Sequence, residues 1–331
     1  MNIGRKINEA LPLGAIIHFS KRWKTLPVYS WVKGAKMFEA GRFSDAAKQY
    51  KKGIEKRKAH PAINNAKFDL SYCLYRAGEL QDSLEYLKQV TSKEETPKEA
   101  FLLQSRIYLV FGKQFNAIET LKECARRFPE DIAVLASLLH LLSHTDETKI
   151  TRIIKDRLTV KRRLISVDDP KLELIDAAIA IYEIKRGDIK RGERLLSRVL
   201  SSGYAPYEAI VARGELWLNQ GRVAQGREIL NKAVKSCPRD TKPLLLLARS
   251  YMISGAAQNL DFAKQLATEA AQISNWQNSD VLSLLIEIHE ARGEYELAEM
   301  FLIRFLNLSD SADKKIPFIS TSTNKARIAH I

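Results

Sequence analysis

The residues of this chain that could do chemistry are few and scattered. His140 and His144 stand four residues apart, so on one face of a helix both imidazoles could hold a zinc ion. No glutamate follows His140 as the HExxH pattern requires, and no third ligand lies nearby in the sequence. The chain also has no P-loop, no dinucleotide-binding glycine fingerprint and no nucleophile elbow. We therefore predict a non-enzymatic protein without a metal site or a cofactor, in which the two histidines are packing or surface residues.

The composition is that of a folded, non-secreted chain. Of its 331 residues, 45% are hydrophobic and 28% are charged. Cys73, Cys124 and Cys237 form no close pair, which predicts reduced thiols in a chain without a secretory signal. No stretch approaches the roughly 18 uninterrupted apolar residues of a transmembrane helix. We expect a cytoplasmic protein, peripheral at a membrane surface if its first residues act as an anchor.

A recurring glycine indicates how the chain is organised. Seven glycines follow one another at intervals of 37, 34, 75, 34, 34 and 38 residues, and the 75 is close to two periods. These glycines are Gly41, Gly78, Gly112, Gly187, Gly221, Gly255 and Gly293. Such a period is typical of one supersecondary unit copied many times, whose copies stack to bury their apolar faces. A stack presents one long surface, which favours binding over catalysis.

Small residues recur at fixed places around the glycine. Around Gly221 the small residues are Gly214, seven positions before, and Gly226, five positions after, while Leu230 is the large apolar residue nine positions after. Small residues let two helices approach, and large ones fill the space beside them. The glycine suits the tight link between the helices, where φ is often positive. The pattern therefore predicts a series of helical pairs.

On these residues the chain resembles the tetratricopeptide repeat proteins. Residues 32–46 resemble the first helix and turn of such a repeat, residues 112–129 a turn and second helix, and residues 214–238 nearly a full repeat. The resemblance extends over residues 27–311. It implies an all-α, right-handed solenoid of about eight helix–turn–helix repeats. It also implies a scaffold or adaptor that binds a protein or peptide partner.

The repeat pattern divides the chain into five parts. We predict a basic apolar segment at 1–26, repeats 1–3 at 27–129, a degenerate repeat at 130–169, repeats 5–8 at 170–311, and a poorly ordered tail at 312–331. In the degenerate repeat, residues 132–142 and 150–165 show helical periodicity, and His144-Thr145-Asp146 stands where the turn glycine would be. We expect this repeat to bend the solenoid or to divide it into two stacks.

The first helices of the repeats line the concave groove in this family, so the resemblance places partner contacts there. The inward places lie ten, six and three residues before each turn glycine, on one helical face. In the first three repeats they are rich in aromatic and basic side chains. The predicted partner-binding groove is formed by Trp31, Phe38, Phe68, Tyr72, Tyr75, Arg76 and Arg106. Packing of these aromatic residues on the N-terminal segment is the alternative.

The inward places change character along the chain. Val211 and Glu215 hold them in repeat 6, and Glu287 and Glu290 in repeat 8, so the groove is expected to become acidic. Chaperone-binding members of the family clamp a terminal carboxylate with Lys, Asn and Arg side chains. The matching places here hold Trp31, Ala35, Asp69, Glu99 and Leu103. Since Asp69 and Glu99 would repel a carboxylate, we predict that this clamp is absent.

Positive charge is concentrated near the N-terminus. Residues 1–63 contain 14 Lys and Arg against 4 Asp and Glu, which gives +10 of the net charge of +14. The first 26 residues could cap the first repeat, anchor the chain at an anionic membrane surface, or act as a targeting segment. For an anchor, the predicted contacts with the anionic surface are Arg5, Lys6, Lys21, Arg22, Trp23 and Lys24.

A second basic cluster supports an alternative function. Between Arg152 and Arg163 one predicted helix face carries several Lys and Arg side chains. Together with the basic N-terminal segment, this cluster could bind phosphates, and the chain would then be a nucleic-acid-binding helical-repeat protein. A solvated helix face explains the same cluster.

Overall fold

The computed structural model of the protein describes residues 29–253 and 256–311, and all regular elements in these ranges are α-helices. The helices are α1 Tyr29–Glu39, α2 Phe43–Lys56, α3 Ile63–Ala77, α4 Leu80–Thr91, α5 Lys98–Val110, α6 Gln114–Arg127, α7 Ile132–Leu142, α8 Thr148–Leu164, α9 Lys171–Lys185, α10 Ile189–Ser201, α11 Tyr207–Asn219, α12 Val223–Ser236, α13 Thr241–Met252, α14 Ala257–Ile273, α15 Ser279–Ala291 and α16 Tyr295–Ser311. Successive helices pack as pairs, and the pairs stack into a solenoid. The predicted stack of eight helix–turn–helix repeats is confirmed. Within the described ranges, none of these helices combines the length and apolar character needed to cross a membrane.

The recurring glycine lies at the turn inside each pair. Six of the seven predicted turn glycines have φ between 70° and 97°, in the left-handed region that disfavours other residues. At each of these turns the backbone N–H groups bond back to carbonyls of the last helical turn, as Gly78 does to Tyr75. The seventh, Gly255, lies outside the described residues.

The predicted small residues stand where helices approach most closely. A Cβ atom on Gly192 would lie 2.7 Å from the carbonyl oxygen of Ala180, and one on Gly214 would lie 2.5 Å from Cγ of Leu230. Real side chains do not tolerate such distances, so these places require the absence of a side chain. The sequence pattern therefore marks the contact between the two helices of a repeat.

The degenerate fourth repeat forms its turn without a glycine. Its helices α7 and α8 coincide closely with the two predicted segments. The Ser143 and Thr145 hydroxyls donate hydrogen bonds of 2.6 and 2.9 Å to the carbonyls of Leu139 and Leu142 at the end of α7. The backbone N–H groups of the same two residues bond these carbonyls as well. Helix α7 then packs along α9, and one apolar cluster runs through this repeat from Trp31 to Ile179. The apolar core is therefore continuous across the degenerate repeat.

Several sequence predictions concern residues outside the described ranges. They include the N-terminal segment 1–26, with its proposed contacts Arg5, Lys6, Lys21, Arg22, Trp23 and Lys24, and the tail 312–331. Membrane attachment and targeting by the N-terminal segment stay predictions.

Candidate protein-binding groove

The concave side of the solenoid encloses a central cavity of about 1720 Å³. Its wall is made mainly by the first helices of repeats 3 to 7. The second helices of repeats 3, 5 and 6 and the linkers that precede repeats 6 and 8 also contribute. The lining side chains include Leu102, Arg106, Leu109, Ala136, His140, Leu174, Ile181, Tyr207, Val211, Glu215, Trp217, Lys242, Leu245, Arg249 and Asn278. Apolar and aromatic groups thus alternate with a few charged ones, as is common for surfaces that bind other molecules.

Trp217 is the largest side chain of this wall and lies between two guanidinium groups. The Cζ atoms of Arg213 and Arg222 are 4.7 and 4.9 Å from its ring centroid. Arg213 is itself held by Glu193 and Ser197 on α10, at 3.2 and 3.1 Å. The indole Nε1 is buried and has no hydrogen-bond partner among the described residues. Trp217 therefore packs beside two guanidinium groups and has an indole N–H without a hydrogen-bond partner among the described residues.

A charged cluster lies on the adjoining part of the wall. The carboxylate of Glu215 accepts a hydrogen bond of 2.6 Å from Lys185 and lies 3.3 Å from Nζ of Lys242. Burial alone would raise the pKa of Glu215, but Lys242 and Lys185 lower it to about 2. The cluster is therefore an ionised carboxylate held by two ammonium groups.

His140 and His144 lie against this charged cluster with their ring centroids 5.5 Å apart. Burial, together with the positive charge of Lys242, lowers the pKa of His140 well below its ordinary value and that of His144 to about 4. Nδ1 of His140 and Nε2 of His144 are buried without a partner in the described part of the chain. Both imidazoles are neutral near pH 7, so they add no charge to the wall.

Several residues at the inward places, which lie ten, six or three residues before a turn glycine, line the cavity wall. We refer to this spacing as the offset rule. Leu102, Arg106 and Leu109 of repeat 3 line the wall, as do Val211 and Glu215 of repeat 6. Glu287 and Glu290 of repeat 8 are not among the lining residues. The cavity is thus centred on repeats 3 to 7.

The predicted aromatic groove residues of repeats 1 and 2 lie elsewhere. Trp31 is fully buried and packs edge-on against His60, with ring centroids 5.3 Å apart. Tyr72 and Tyr75 are also buried, while Phe38 and Phe68 are half-buried and pack against the same apolar cluster. Arg76 lies with its Cζ 4.4 Å from the Phe43 ring centroid and 6.0 Å from that of Phe38. Of the seven predicted groove residues, only Arg106 lines the central cavity. A role for the others in partner binding stays a prediction.

The offset rule also accounts for lining residues that were not named from the sequence. Leu245 and Arg249 stand ten and six residues before Gly255, which are the inward offsets of the other repeats. Trp217 and Lys242 occupy no such offset. Asn278 lies in a linker, where the repeat carries no pattern. Lys242 stands three residues before Leu245 and so extends the same helical face by about one turn.

The basic cluster of α8 is largely paired with acids of neighbouring repeats. Arg157 and Lys161 bond the carboxylate oxygens of Glu130 at 2.7 and 2.5 Å. Arg162 bonds Asp176, which is buried, at 2.5 Å. Much of the cluster therefore joins repeat 4 to its neighbours.

Comparison with known proteins agrees with the repeat pattern. A family model described as tetratricopeptide repeat matches residues 38–100 and 177–241. An uncharacterised protein of Aquifex aeolicus is 24% identical over 151 residues, which are 45% of this chain and 18% of that protein. The chain thus spans about a fifth of the length of this curated relative.

Solved structures share the fold at low sequence identity. A tetratricopeptide repeat protein from Parabacteroides merdae is 16% identical, with a TM-score of 0.53 over 80% of this chain and 98% of its own. A chain of the APC/C hetero-tetramer Cut9–Hcn1 is 14% identical, with a TM-score of 0.58 over 86% of this chain and 59% of its own. Human IFIT1, solved as a dimer with m7Gppp-AAAA, is 13% identical, with a TM-score of 0.51 over 89% of this chain and 73% of its own. The two matched segments are similar to tetratricopeptide repeats, and they lie within a stack of eight helical pairs that has the fold of tetratricopeptide repeat proteins.

Proposed function

We propose that this protein is a non-catalytic scaffold that binds a segment of a partner protein in its central cavity. The repeat fold itself suggests a protein-interaction scaffold. The cavity is the observation that carries the proposal, because its volume of about 1720 Å³ and its mixed apolar and charged wall suit a peptide segment.

The charges of the wall favour a partner segment with both apolar and acidic side chains. Most acids of the wall already have cationic partners, as Glu215 has Lys185 and Lys242. Arg249 is exposed and has no ion-pair partner among the described residues. Leu246 and Trp217 offer apolar contact area nearby. A carboxylate on the partner would pair with Arg249 while apolar side chains cover Leu246 and Trp217.

The test compares proteins that are captured by variants of the intact chain. Arg249→Glu reverses a charge of the cavity wall, while Arg194→Glu makes the same change at an exposed position outside the cavity. A groove partner is lost with Arg249→Glu and retained with Arg194→Glu, and its purified form binds the wild type in calorimetry. Equal capture by both variants contradicts binding in the cavity.

The finer role of this scaffold is part of the same proposal. As an adaptor, the protein would bind a longer peptide, which extends from the cavity to the aromatic residues of repeats 1 and 2. Phe38 and Arg76 would then contact this peptide. Loss of the captured partner on Phe38→Ala, at unchanged helical content, supports that extension. Retention of the partner restricts binding to the cavity.

A further inference from the structure

Two edges of the solenoid that are far apart in the sequence touch each other. The turns of repeats 2 and 3, which contain Gly78 and Gly112, face the linkers that precede repeats 7 and 8. Repeat 2 thus meets the start of repeat 7, and repeat 3 meets the start of repeat 8. The same offset of five repeats in both contacts means that one turn of the superhelix ends where the next begins.

Each linker contributes a side chain that bonds the end of a distant helix. Nη2 of Arg239 donates a hydrogen bond of 2.6 Å to the carbonyl of Arg76 in the last turn of α3. Nδ2 of Asn278 donates one of 3.0 Å to the carbonyl of Val110 at the end of α5. Carbonyls in the last turn of a helix lack partners within the helix, and a cation there also interacts favourably with the helix dipole. The two linkers therefore cap the ends of α3 and α5.

The turn glycines at these two places leave room for the contact. A Cβ atom on Gly78 would lie 2.3 Å from Nη1 of Arg239, and one on Gly112 would lie 2.9 Å from Oδ1 of Asn278. The remaining described turn glycines have nothing within 4 Å of such an atom; they are Gly41, Gly187, Gly221 and Gly293. Among the described turn glycines, only those of repeats 2 and 3 are thus approached closely from outside.

Further polar contacts and a strained linker belong to the contact between the two edges, which we call the closure. Arg106 of repeat 3 lies 3.5 Å from Asp240 and 3.6 Å from Glu208, and its Cζ is 5.2 Å from the Tyr207 ring centroid. Before repeat 8, two consecutive non-glycine residues have left-handed φ values, 48° at Asn275 and 60° at Trp276. Such residues cost free energy, and they persist where the surrounding structure holds them. This conformation brings Asn278 to the end of α5.

The closure is polar, in contrast to the contacts along the stack. Among the described apolar clusters, one spans repeats 1 to 5 and others span repeats 5 to 8. Among the described residues, Ile273 is the one side chain that packs against both the first cluster and that of repeats 7 and 8. Individual hydrogen bonds contribute little net stability, because water replaces them when they break. Separation of the two edges therefore breaks mainly polar contacts, together with the packing of Ile273.

The residues of the closure also line the central cavity. Arg106, Gly112, Asp240 and Asn278 belong both to the contact and to the cavity wall. We propose that this contact is a reversible clasp that controls access of a partner segment to the central cavity. The identity of what enters rests on the proposed function, whereas opening of the clasp can be measured without a partner.

The first test breaks the clasp while keeping the local helix cap. Oδ1 of Asn278 accepts hydrogen bonds from the N–H groups of Asp280 and Val281 and so caps α15. Asn278→Asp retains this acceptor, since aspartate is an equally good cap, but removes the Nδ2 donor. The double variant Asn278→Asp/Arg239→Gln is expected to increase the radius of gyration in small-angle X-ray scattering at unchanged helical content. An unchanged radius would overturn the clasp.

The second test uses the glycines as matched pairs. Gly78→Ala/Gly112→Ala introduces Cβ atoms into the clasp, while Gly187→Ala/Gly221→Ala introduces them at open turns with similar positive φ. Both double variants should lose similar thermal stability, but only the first should expand in scattering. Equal expansion of both, or of neither, contradicts the clasp.

Access to the cavity is measured with a single reactive thiol. Ser137 lines the cavity, and Ser137→Cys, in a chain whose natural cysteines are replaced by alanine, places the thiol there. A maleimide that carries a long polyethylene glycol chain should label this thiol about tenfold faster in Asn278→Asp/Arg239→Gln, a factor that corresponds to about 1.4 kcal/mol. N-ethylmaleimide, which is small, should show a smaller change. Equal labelling rates for the bulky reagent with and without the clasp would exclude control of access.

Discussion

Repeats 1–2 and repeats 6–7 share one helical pattern but use their concave faces differently. In the first two repeats the inward aromatic residues fill the face, since Trp31, Tyr72 and Tyr75 are at most 6% exposed. In repeats 6 and 7 the corresponding face leaves a cavity bordered by Trp217 and Arg249. Repeats 1, 2 and 6 share a turn glycine with positive φ, and in repeats 1 and 6 a glycine also stands where the two helices approach each other. The comparison teaches that the repeat pattern determines how helices pair, while the remaining inward residues determine whether a face is filled or open.

The largest expected effect tests whether the face of repeat 2 is filled. Tyr72→Ala removes a buried ring that lies 5.3 Å from the Phe38 ring and 6.4 Å from that of Tyr75. It should lower the free energy of unfolding by about 3 kcal/mol. Trp217→Ala, at a half-buried ring in repeat 6, should cost about 1 kcal/mol. Urea unfolding followed by circular dichroism measures both, and similar losses would remove the distinction between the two regions.

The open region should also respond to pH. The pKa of His144 is lowered to about 4, whereas an unfolded histidine titrates near 6.5. Below pH 6.5 the unfolded chain takes up a proton that the folded chain does not, so the folded state loses stability as the pH falls toward 4. The loss from this group amounts to about 3 kcal/mol.

Unfolding as a function of pH measures this effect, with His144→Gln as the comparison. The variant should lose about half of the slope between pH 6.5 and 4, because His140, whose pKa is also lowered, contributes the rest. A slope that is the same with and without the imidazole contradicts the assignment to His144. Glu215 adds a separate loss at lower pH, because its pKa is lowered to about 2. As the pH falls from about 4.5 toward that value, the unfolded chain takes up a proton that the folded chain does not.

A smaller effect is expected at Gly221, a turn glycine of the kind that both regions contain. Gly221 has φ of 74° and open space around it, so Gly221→Val is opposed by backbone strain alone. It should cost about 1–3 kcal/mol. The matched control is Gln220→Val, at an exposed neighbour with φ of −85°. Thermal melts compare the two, and equal melting temperatures would show that the turn does not need glycine.

The smallest effect concerns the basic cluster of α8, which belongs to neither region. Arg157→Gln/Lys161→Gln removes two ion pairs with Glu130, whose side chain is 74% exposed. Because water and salt screen such exposed pairs, the melting temperature should stay unchanged. Binding to single-stranded RNA at low salt should be equally weak in the variant and the wild type. Strong binding that falls steeply with salt and with these substitutions would favour the nucleic-acid alternative.

The sequence predicts the elements well because they depend on local residues. Glycines with positive φ mark the turns, small residues such as Gly192 and Gly214 mark the close approaches, and helical periodicity marks even the degenerate repeat. The cavity is predicted only in part, because its position depends on how eight repeats curve together. Arg106 and Glu215 follow the inward offset, whereas Trp217 lines the wall without occupying one. Arg239 and Asn278 stand in linkers, and their partners lie 163 and 168 residues away in the sequence.

The offset of five repeats between the contacting edges limits how this protein can change in length during evolution. Solenoids commonly gain or lose whole units, because each unit contacts mainly its neighbours. Here, one extra unit between repeats 3 and 7 would bring the wrong linker opposite Gly78 and Gly112, and both capping side chains would lose their carbonyls. A unit added before repeat 2 or after repeat 8 leaves those partners in place. Duplications and deletions are therefore expected at the ends of this lineage's repeat array, and the number of units in its middle is expected to stay constant.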